Sequence, residues 1–439
     1  MGAEFPGIVR LRCSVKRYEW GKVGEESGVA RLYASNSGEE IDGDEPFAEF
    51  WMGTHDSGPS TVVPNRQIRT AGVEMEGGFK RDHSNLVTLK DWIQQNPVVL
   101  GDKVFQKWGP NLPFLFKVLS VSKALSIQAH PDKSLAAILH KQQPQVYKDD
   151  NHKPEMALAL TEFEALCGFV GLEEIKSVLQ NVPEITEVVG TASANQVLRI
   201  SKEDGEKKRK DVLRSLFTKL MSASKAVISD AVFKLINRLN IKRKVRGLTE
   251  KEELVLRLEK QYPGDVGVIA SFLFNYVKLK IGEALYLGAN EPHAYLYGEC
   301  VECMATSDNV VRAGLTPKKL DVQTLCSILT YKQGFPEILR GVPSNPYTLK
   351  YLPPFDEFEV DQCILPQGAS TVFPAIPGPS VFVVVKGKGT MRQAFLEELV
   401  GEGDVLFTPA NAQISVRTTS GLSLCRAGIS SRFLSSKCV

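Results

Sequence analysis

Two short stretches of the chain carry polar groups whose types and spacing suit metal chemistry. In Leu-Ser-Ile-Gln-Ala-His-Pro-Asp-Lys, residues 125–133, Ser126, Gln128 and His130 alternate with Ile127 and Ala129. In His-Lys-Pro-Glu-Met-Ala-Leu, residues 152–158, Lys153 and Glu155 stand two apart. Strand side chains alternate faces with period 2, so each set is expected to project from one side of a sheet. An imidazole, a carboxylate and an amide are costly to bury together unless something binds them, and a divalent cation does so. A third stretch, Gly-Ala-Asn-Glu-Pro-His-Ala-Tyr-Leu-Tyr-Gly at 288–298, supplies a second imidazole. It follows a strand-like run at 284–287; Gly288 and Pro292 mark a turn, and His293 opens the next strand. Gln128, His130, Glu155 and His293 together offer one amide oxygen, two imidazole nitrogens and one carboxylate. That set suits zinc, and also iron, manganese or nickel.

The elements that must hold these groups are mostly strands. Phe114-Leu-Phe-Lys-Val-Leu119 reads as a buried strand leading into the first stretch, and residues 7–65 alternate short apolar runs with Gly, Asp, Ser and Pro. Residues 88–95, with Leu89 and Trp92 on one face, and 132–140, with Leu135, Ile138 and Leu139 on one face, read as helices. From about Val170 to Asn275 the texture changes. Segments 172–180, 212–221, 226–239 and 250–261 carry apolar residues at three- and four-residue spacing, as amphipathic helices do. The charge runs at 202–210 and 242–246 are expected as solvated loops, since no aromatic residues interleave with them as at a nucleic-acid site. Beyond residue 323 the pattern is β-like again and contains an echo. Gly403-Asp-Val-Leu-Phe-Thr-Pro-Ala-Asn-Ala-Gln-Ile414 aligns without gaps on Gly282-Glu-Ala-Leu-Tyr-Leu-Gly-Ala-Asn-Glu-Pro-His293, with Ile414 where the histidine stood. Gly387-Lys-Gly389 is expected to make a tight turn ahead of it.

Gly282, Ala289-Asn290 and His293 have the spacing by which a cupin barrel sets a metal-binding imidazole on its inner wall. With Tyr18-Glu-Trp-Gly21, Ala48-Glu-Phe-Trp-Met-Gly-Thr-His55 and Ala305-Thr-Ser-Asp-Asn-Val-Val-Arg-Ala-Gly-Leu-Thr-Pro-Lys318, these motifs resemble the type I mannose-6-phosphate isomerases. The resemblance runs from about Leu11 to Val322 and more weakly to the end of the chain. It implies a mainly β fold of two cupin (jelly-roll) barrels with an α-helical insertion domain. Residues 1–168 and 276–329 would form the catalytic barrel, 169–275 the insertion, and 330–439 a C-terminal cupin-like barrel without metal. It also implies one Zn2+ per chain, held by Gln128, His130, Glu155 and His293. The implied activity is interconversion of D-mannose 6-phosphate and D-fructose 6-phosphate through a cis-enediol, linking glycolysis to mannose and GDP-mannose metabolism.

Roles follow for the remaining polar groups. Arg312 matches the family's active-site arginine; a guanidinium is a poor base, so it is assigned to enediol charge or to the sugar phosphate. Lys318 is expected as the phosphate ammonium, with Ser126 as hydroxyl donor and Lys117 as a second cation. The proton-transfer base stays open between Lys153, whose pKa desolvation beside a cation would lower, and the carboxylates Glu302 and Asp308. His55 is expected at the substrate rim or in a structural place, and His140 at the surface. Cys300 and Cys303 stand three apart, so in a strand they face opposite sides, and no second cysteine pair has ligand spacing.

Composition sets the outer bounds. A length of 439 residues exceeds one ordinary core, and a net charge of +2 gives no case for a nucleic-acid or membrane partner. No apolar run reaches the roughly 18 residues of a membrane span, and the first thirty residues hold no signal-peptide core. Eight cysteines without a secretory signal point to free thiols in a reducing compartment, which suits a cytoplasmic enzyme, and the resemblance implies a monomer acting on a small sugar phosphate. Two other readings share the ligand set. A cupin oxygenase would carry iron and need an open facial triad and a co-substrate site. A catalytically silent metal- or sugar-binding cupin would have no use for the cationic segment 312–318. No Walker-type loop or Gly-x-Gly-x-x-Gly is present, so no nucleotide cofactor is expected.

Overall fold

Strands covered on both faces are mostly apolar, and Phe114–Val121, polar only at Lys117 and Ser120, is buried along its whole length. In the computed structural model, which describes residues 7–63 and 87–436, such strands build two eleven-stranded sheets. Residues 1–6, 64–86 and 437–439, which belong to the expected first and last segments, lie outside the described residues. The spine of the first sheet is His293–Ala305. It pairs antiparallel with Phe114–Val121 on one side and with Glu155–Ala159 on the other. Its N-terminal end meets Ile127–Ala129 and Phe163–Phe169. Strands far apart in sequence therefore meet on one spine, with Gln128 opposite His293 at its start and Glu155 opposite Met304 near its end.

The second sheet is organised around Ser380–Gln393, which pairs with Leu422–Gly428, Val405–Thr408, Leu396–Gly401 and Ile414–Arg417. Short strands cross the expected boundaries, Thr61–Val63 among them, which pairs with Val9–Arg12 in the C-terminal sheet. Val9–Arg12 pairs with Val405–Thr408 and so completes the C-terminal sheet, while Ile338–Leu339 adds to the catalytic sheet beside Ala284–Leu287. The reason is a shared core: Phe50, Phe116 and Val301 of one sheet pack with Val360, Val381 and Phe407 of the other. Each such fully buried side chain is worth roughly 1.5–3 kcal/mol, so the two barrels are joined rather than merely tethered.

The echo between the barrels is structural as well as sequential. Gly282 and Gly403 have φ of 83° and 84°, and Asn290 and Asn411 have φ of 61° and 63°. His293 and Ile414 each open a strand and are each 1% exposed. Around Ile414, however, lie Phe373, Phe382, Leu406 and Leu424, so the second barrel is filled with apolar side chains where the first holds its polar cluster. Gly387-Lys-Gly389 is not a turn. The strand continues through it, and Gly387, with φ of 85°, sits where the pairing with Leu422–Gly428 slips register. A Cβ there would lie 2.3 Å from the Gly421 carbonyl oxygen.

Between the two parts of the catalytic sheet the chain forms helices that include Leu172–Asn181, Gly205–Ser222, Lys225–Val245 and Glu250–Gln261. The charge runs expected as loops are largely helical. Lys208 and Lys210 reach back to Asp204 and Glu206 across one turn, and Lys242 and Arg246 meet Glu252 of the following helix. Such pairs support a helix that solvates its charges. Two smaller expectations also shift. In the helix Lys133–Gln142, Ala136 and Leu139 are buried while Ile138 is 51% exposed. His140 is half-buried and its Nδ1 meets the Tyr147 carbonyl at 2.8 Å.

Cys300 and Cys303 do face opposite sides, one packing with Tyr295 and Leu119, the other with Phe116 and Val301. Burial pushes both thiols up, away from the reactive thiolate. Among the described residues, no helix is long and apolar enough to cross a membrane.

Candidate metal centre and substrate cleft

His130 follows the strand Ile127–Ala129, whose Gln128 stands in register with His293. Glu155 opens its own strand. Ligand atoms of His130, Glu155 and His293 all lie within 4.8 Å of one another, and all three residues are buried. Nδ1 of His130 meets the Asn309 carbonyl at 2.7 Å, and Nδ1 of His293 meets the Glu291 carbonyl at 2.9 Å. A carbonyl oxygen only accepts, so both Nδ1 atoms carry the proton and both Nε2 atoms present lone pairs.

Those lone pairs face the Glu155 carboxylate, at 3.4 Å from His130 and 3.3 Å from His293. His130 Nε2, His293 Nε2 and Glu155 Oε2 are buried and have no hydrogen-bond partner. Three electron-rich atoms turned toward one another with no proton between them fit a cation, and the outer hydrogen bonds hold the rings in the ligating tautomer. Burial lowers His130 to about 4, which keeps it neutral. Burial would raise the Glu155 carboxyl, but its neighbours, the Lys153 ammonium among them, hold it well below its usual range. Lys153 Nζ is 3.4 Å from Glu155 Oε1.

Of the cluster, Glu155 lines a cleft of about 490 Å³. Gln128, Ser126, Lys153, Glu302, Asp308, Arg312, Lys318 and Lys117 all line it, so every residue singled out for chemistry is brought to one place or its edge. Their states differ. Arg312 is half-buried, burial lowers its pKa, and it has no carboxylate partner among the described residues. Lys318 is exposed and likewise unpaired among them. Neither pairs with Asp321, which caps the helix Val322–Ile328 and accepts from Tyr147 at 3.0 Å. Lys117 differs from the expected phosphate cation. Its ammonium is 2.9 Å from Glu302 and 3.4 Å from Glu49, so its charge is already answered. Burial would lower Lys117, but Glu302 and Glu49 raise it above its ordinary value.

Glu302 lies nine residues after His293, a spacing that puts the two on opposite faces of a regular strand. They share the cleft because the register slips between Tyr295 and Tyr297, a bulge followed by Gly298 with φ of 105°. Two further residues of the cleft bear on its chemistry. Tyr295 stands two after His293, so the period-2 rule placed it on the ligand face; its buried hydroxyl has no hydrogen-bond partner, and burial and then Glu302 push its pKa up. His55 is the partner of Asp308. Its Nδ1 accepts the Ser57 N–H at 3.1 Å, so Nε2 carries the proton and faces Asp308 Oδ1 at 3.2 Å. This contact keeps Asp308 below the usual carboxylate range. No sequence signal ties His55 to Asp308, because the contact joins loops of unrelated strands.

Lys117→Met is expected to destabilise the fold by about 3 kcal/mol, since it strands Glu302 and Glu49 without their cation. Burial already raises the Glu302 pKa, and loss of Lys117 raises it further. A carboxyl with a raised folded pKa binds more protons when folded than when unfolded. Its cost to stability therefore grows as pH rises through that pKa. Thermal melts at pH 6 and pH 8 should show the larger loss at pH 8; equal losses would mean Lys117 does not answer the Glu302 charge.

Profiles of known families match along the chain: the type I phosphomannose isomerase catalytic domain at residues 8–172, its helical insertion domain at 185–274 and its C-terminal domain at 351–392. Mannose-6-phosphate isomerase 2 of Arabidopsis thaliana is 60% identical over 427 residues, 97% of this chain and 94% of that protein. The human mannose-6-phosphate isomerase is 41% identical over 425 residues, 94% of this chain and 96% of that protein. Among solved structures, the mannose 6-phosphate isomerase of Salmonella typhimurium bound to its substrate F6P and zinc superposes with a TM-score of 0.79 at 28% identity. That match covers 97% of this chain and 100% of that one.

Proposed function

The chain belongs to the type I phosphomannose isomerase family, and from that premise we propose that it interconverts D-mannose 6-phosphate and D-fructose 6-phosphate. One observation carries the reading. A buried trio of unpartnered ligand atoms and two unpaired cations, Arg312 and Lys318, line or adjoin the same cleft. A metal needs the first and a phosphorylated sugar the second.

Aldose–ketose isomerisation moves a proton between the adjacent C1 and C2 of the open-chain sugar and a second between their oxygens. A zinc ion bound by His130, Glu155 and His293, with Gln128 beside them, supplies a Lewis acid for the negative charge that develops. The chain's own groups divide the remaining work. Lys318 and Ser126 take the phosphate, and Arg312 faces the oxygen charge that grows as the enediol forms. Two carboxyls of the cleft have pKa values pushed apart: His55 lowers its partner Asp308, and burial raises Glu302 despite its partner Lys117. One group ready to accept a proton and one ready to give it is the arrangement acid–base transfer requires. Lys153 stays with Glu155 and is the third candidate. The cleft takes every one of these groups from a single chain, which supports action as a monomer, and the seven described cysteines, free and buried, suit the cytoplasm.

Elemental analysis and a coupled assay of fructose 6-phosphate formation test this. We expect one zinc per chain, with activity lost to a chelator and regained with zinc. A second tightly held metal in the C-terminal barrel would contradict the role given to Ile414. Full zinc loading without turnover would make the chain a silent metal-binding cupin.

A further inference from the structure

The helical insertion touches the catalytic barrel at the rim of the cleft. Asp265 caps its last α-helix, Val266–Ala270, and its Oδ1 accepts the Gly267 N–H at 2.6 Å. That bond alone is an ordinary helix cap. The same carboxylate goes further: Oδ1 accepts the Leu315 N–H at 2.6 Å and Oδ2 accepts the Thr316 N–H at 3.3 Å. Leu315 is buried and has φ of 52°, a left-handed conformation that a side chain of its kind avoids. The backbones meet without side chains between them. A Cβ on Gly314 would lie 2.7 Å from Gly267 Cα, and one on Gly267 would lie 2.6 Å from Leu315 N. Beyond Leu315, the Thr316 hydroxyl accepts the Lys318 N–H at 3.1 Å, and residues 315–318 line the cleft. The insertion also grips the facing rim, where Gln261 Oε1 accepts the Ala124 N–H at 3.0 Å and the Tyr262 hydroxyl donates to the Ala124 carbonyl at 2.6 Å, two residues before Ser126.

We propose that Asp265 is a positioning residue through which the helical insertion fixes the phosphate-binding end of the cleft. The inference rests on the assignment of Lys318 to the substrate phosphate. An unfavourable backbone conformation persists only where its surroundings hold it, and here a single carboxylate holds both amides that follow the turn. Without it the segment bearing Lys318 relaxes, and the insertion becomes a domain that no longer shapes substrate affinity.

The test separates clamp from cap. Asp265→Ser keeps an N-cap hydroxyl for Gly267 but is too short to serve Leu315 and Thr316 as well. It should raise KM for mannose 6-phosphate and the calorimetric Kd for inorganic phosphate together by about tenfold, the scale of one lost charge-assisted contact. The kcat should stay within about twofold, since the loss is common to ground and transition states. Zinc content should not change. Asp265→Asn, which retains an acceptor oxygen, should lose much less. In a Lys318→Ala background Asp265→Ser should add nothing. Unchanged KM and phosphate Kd alongside a lowered Tm would overturn the proposal, leaving Asp265 a helix cap, and so would independent, multiplying effects in the double variant. If the wild-type chain fails to isomerise at all, it is the functional reading that falls. The phosphate titrations of the two Asp265 variants still decide the clamp.

Discussion

His293→Ala should bring zinc content from one per chain to near zero and lower kcat by at least about 10³-fold, because a Lewis acid contributes several kcal/mol and each 1.36 kcal/mol is a factor of ten. The substitution removes one of the three lone-pair donors that close on a single point, and His130 with Glu155 is too small a set to hold the ion. The fold should survive. In the metal-free protein His293 Nε2 and the Glu155 carboxylate face one another without a proton, a repulsive contact that the substitution relieves. Thermal denaturation distinguishes loss of metal from loss of fold. Wild-type Tm should fall on adding EDTA, because zinc stabilises only the folded state, whereas the variant's Tm should ignore EDTA. A variant that kept stoichiometric zinc and activity would show that the metal lies elsewhere.

Arg312→Ala and Lys318→Ala should fail in different ways. Arg312 is half-buried in the cleft with no anionic partner among the described residues, so its charge is held ready for one. If it answers charge that grows only during enediol formation, its loss should lower kcat by on the order of 10²–10³, as for a missing oxyanion donor. Lys318, exposed at the rim, meets a phosphate that is charged throughout the reaction. Its loss should mainly raise KM. Zinc content should survive both changes. Should Arg312→Ala move KM alone, the guanidinium is a phosphate clamp. The enediol would then be answered by zinc and Lys153.

The sequence by itself pointed to the cluster of His130, Glu155 and His293 and to the repeat. Alternation around Gln128 and His130, the pair Lys153 and Glu155, and the turn before His293 are local patterns, and strands express period 2 whatever they pair with. The gapless match of 403–414 on 282–293 likewise required only the chain, and Ile414 announced that the second barrel had lost its histidine. What the sequence left open are properties of pairs that no local period relates. A bulge near Tyr295 turns Glu302 to the ligand side, a register decision made by the partner strand Phe163–Phe169. The ion pairs of Lys117 with Glu302 and Glu49, which withdraw it from phosphate binding, depend on three strands meeting. His55 found Asp308 and Asp265 found Leu315 through loops brought together only when the barrel closes and the insertion docks. The charge runs went from loop to helix because an apolar face with a core to bury it makes a helix, which the pairs of Lys208 and Lys210 then support. Local periodicity names the groups that can do the chemistry. Only tertiary contacts decide which of those groups remain free to do it, because burial and a partner's charge set a side chain's availability, and neither is written within a few residues of it.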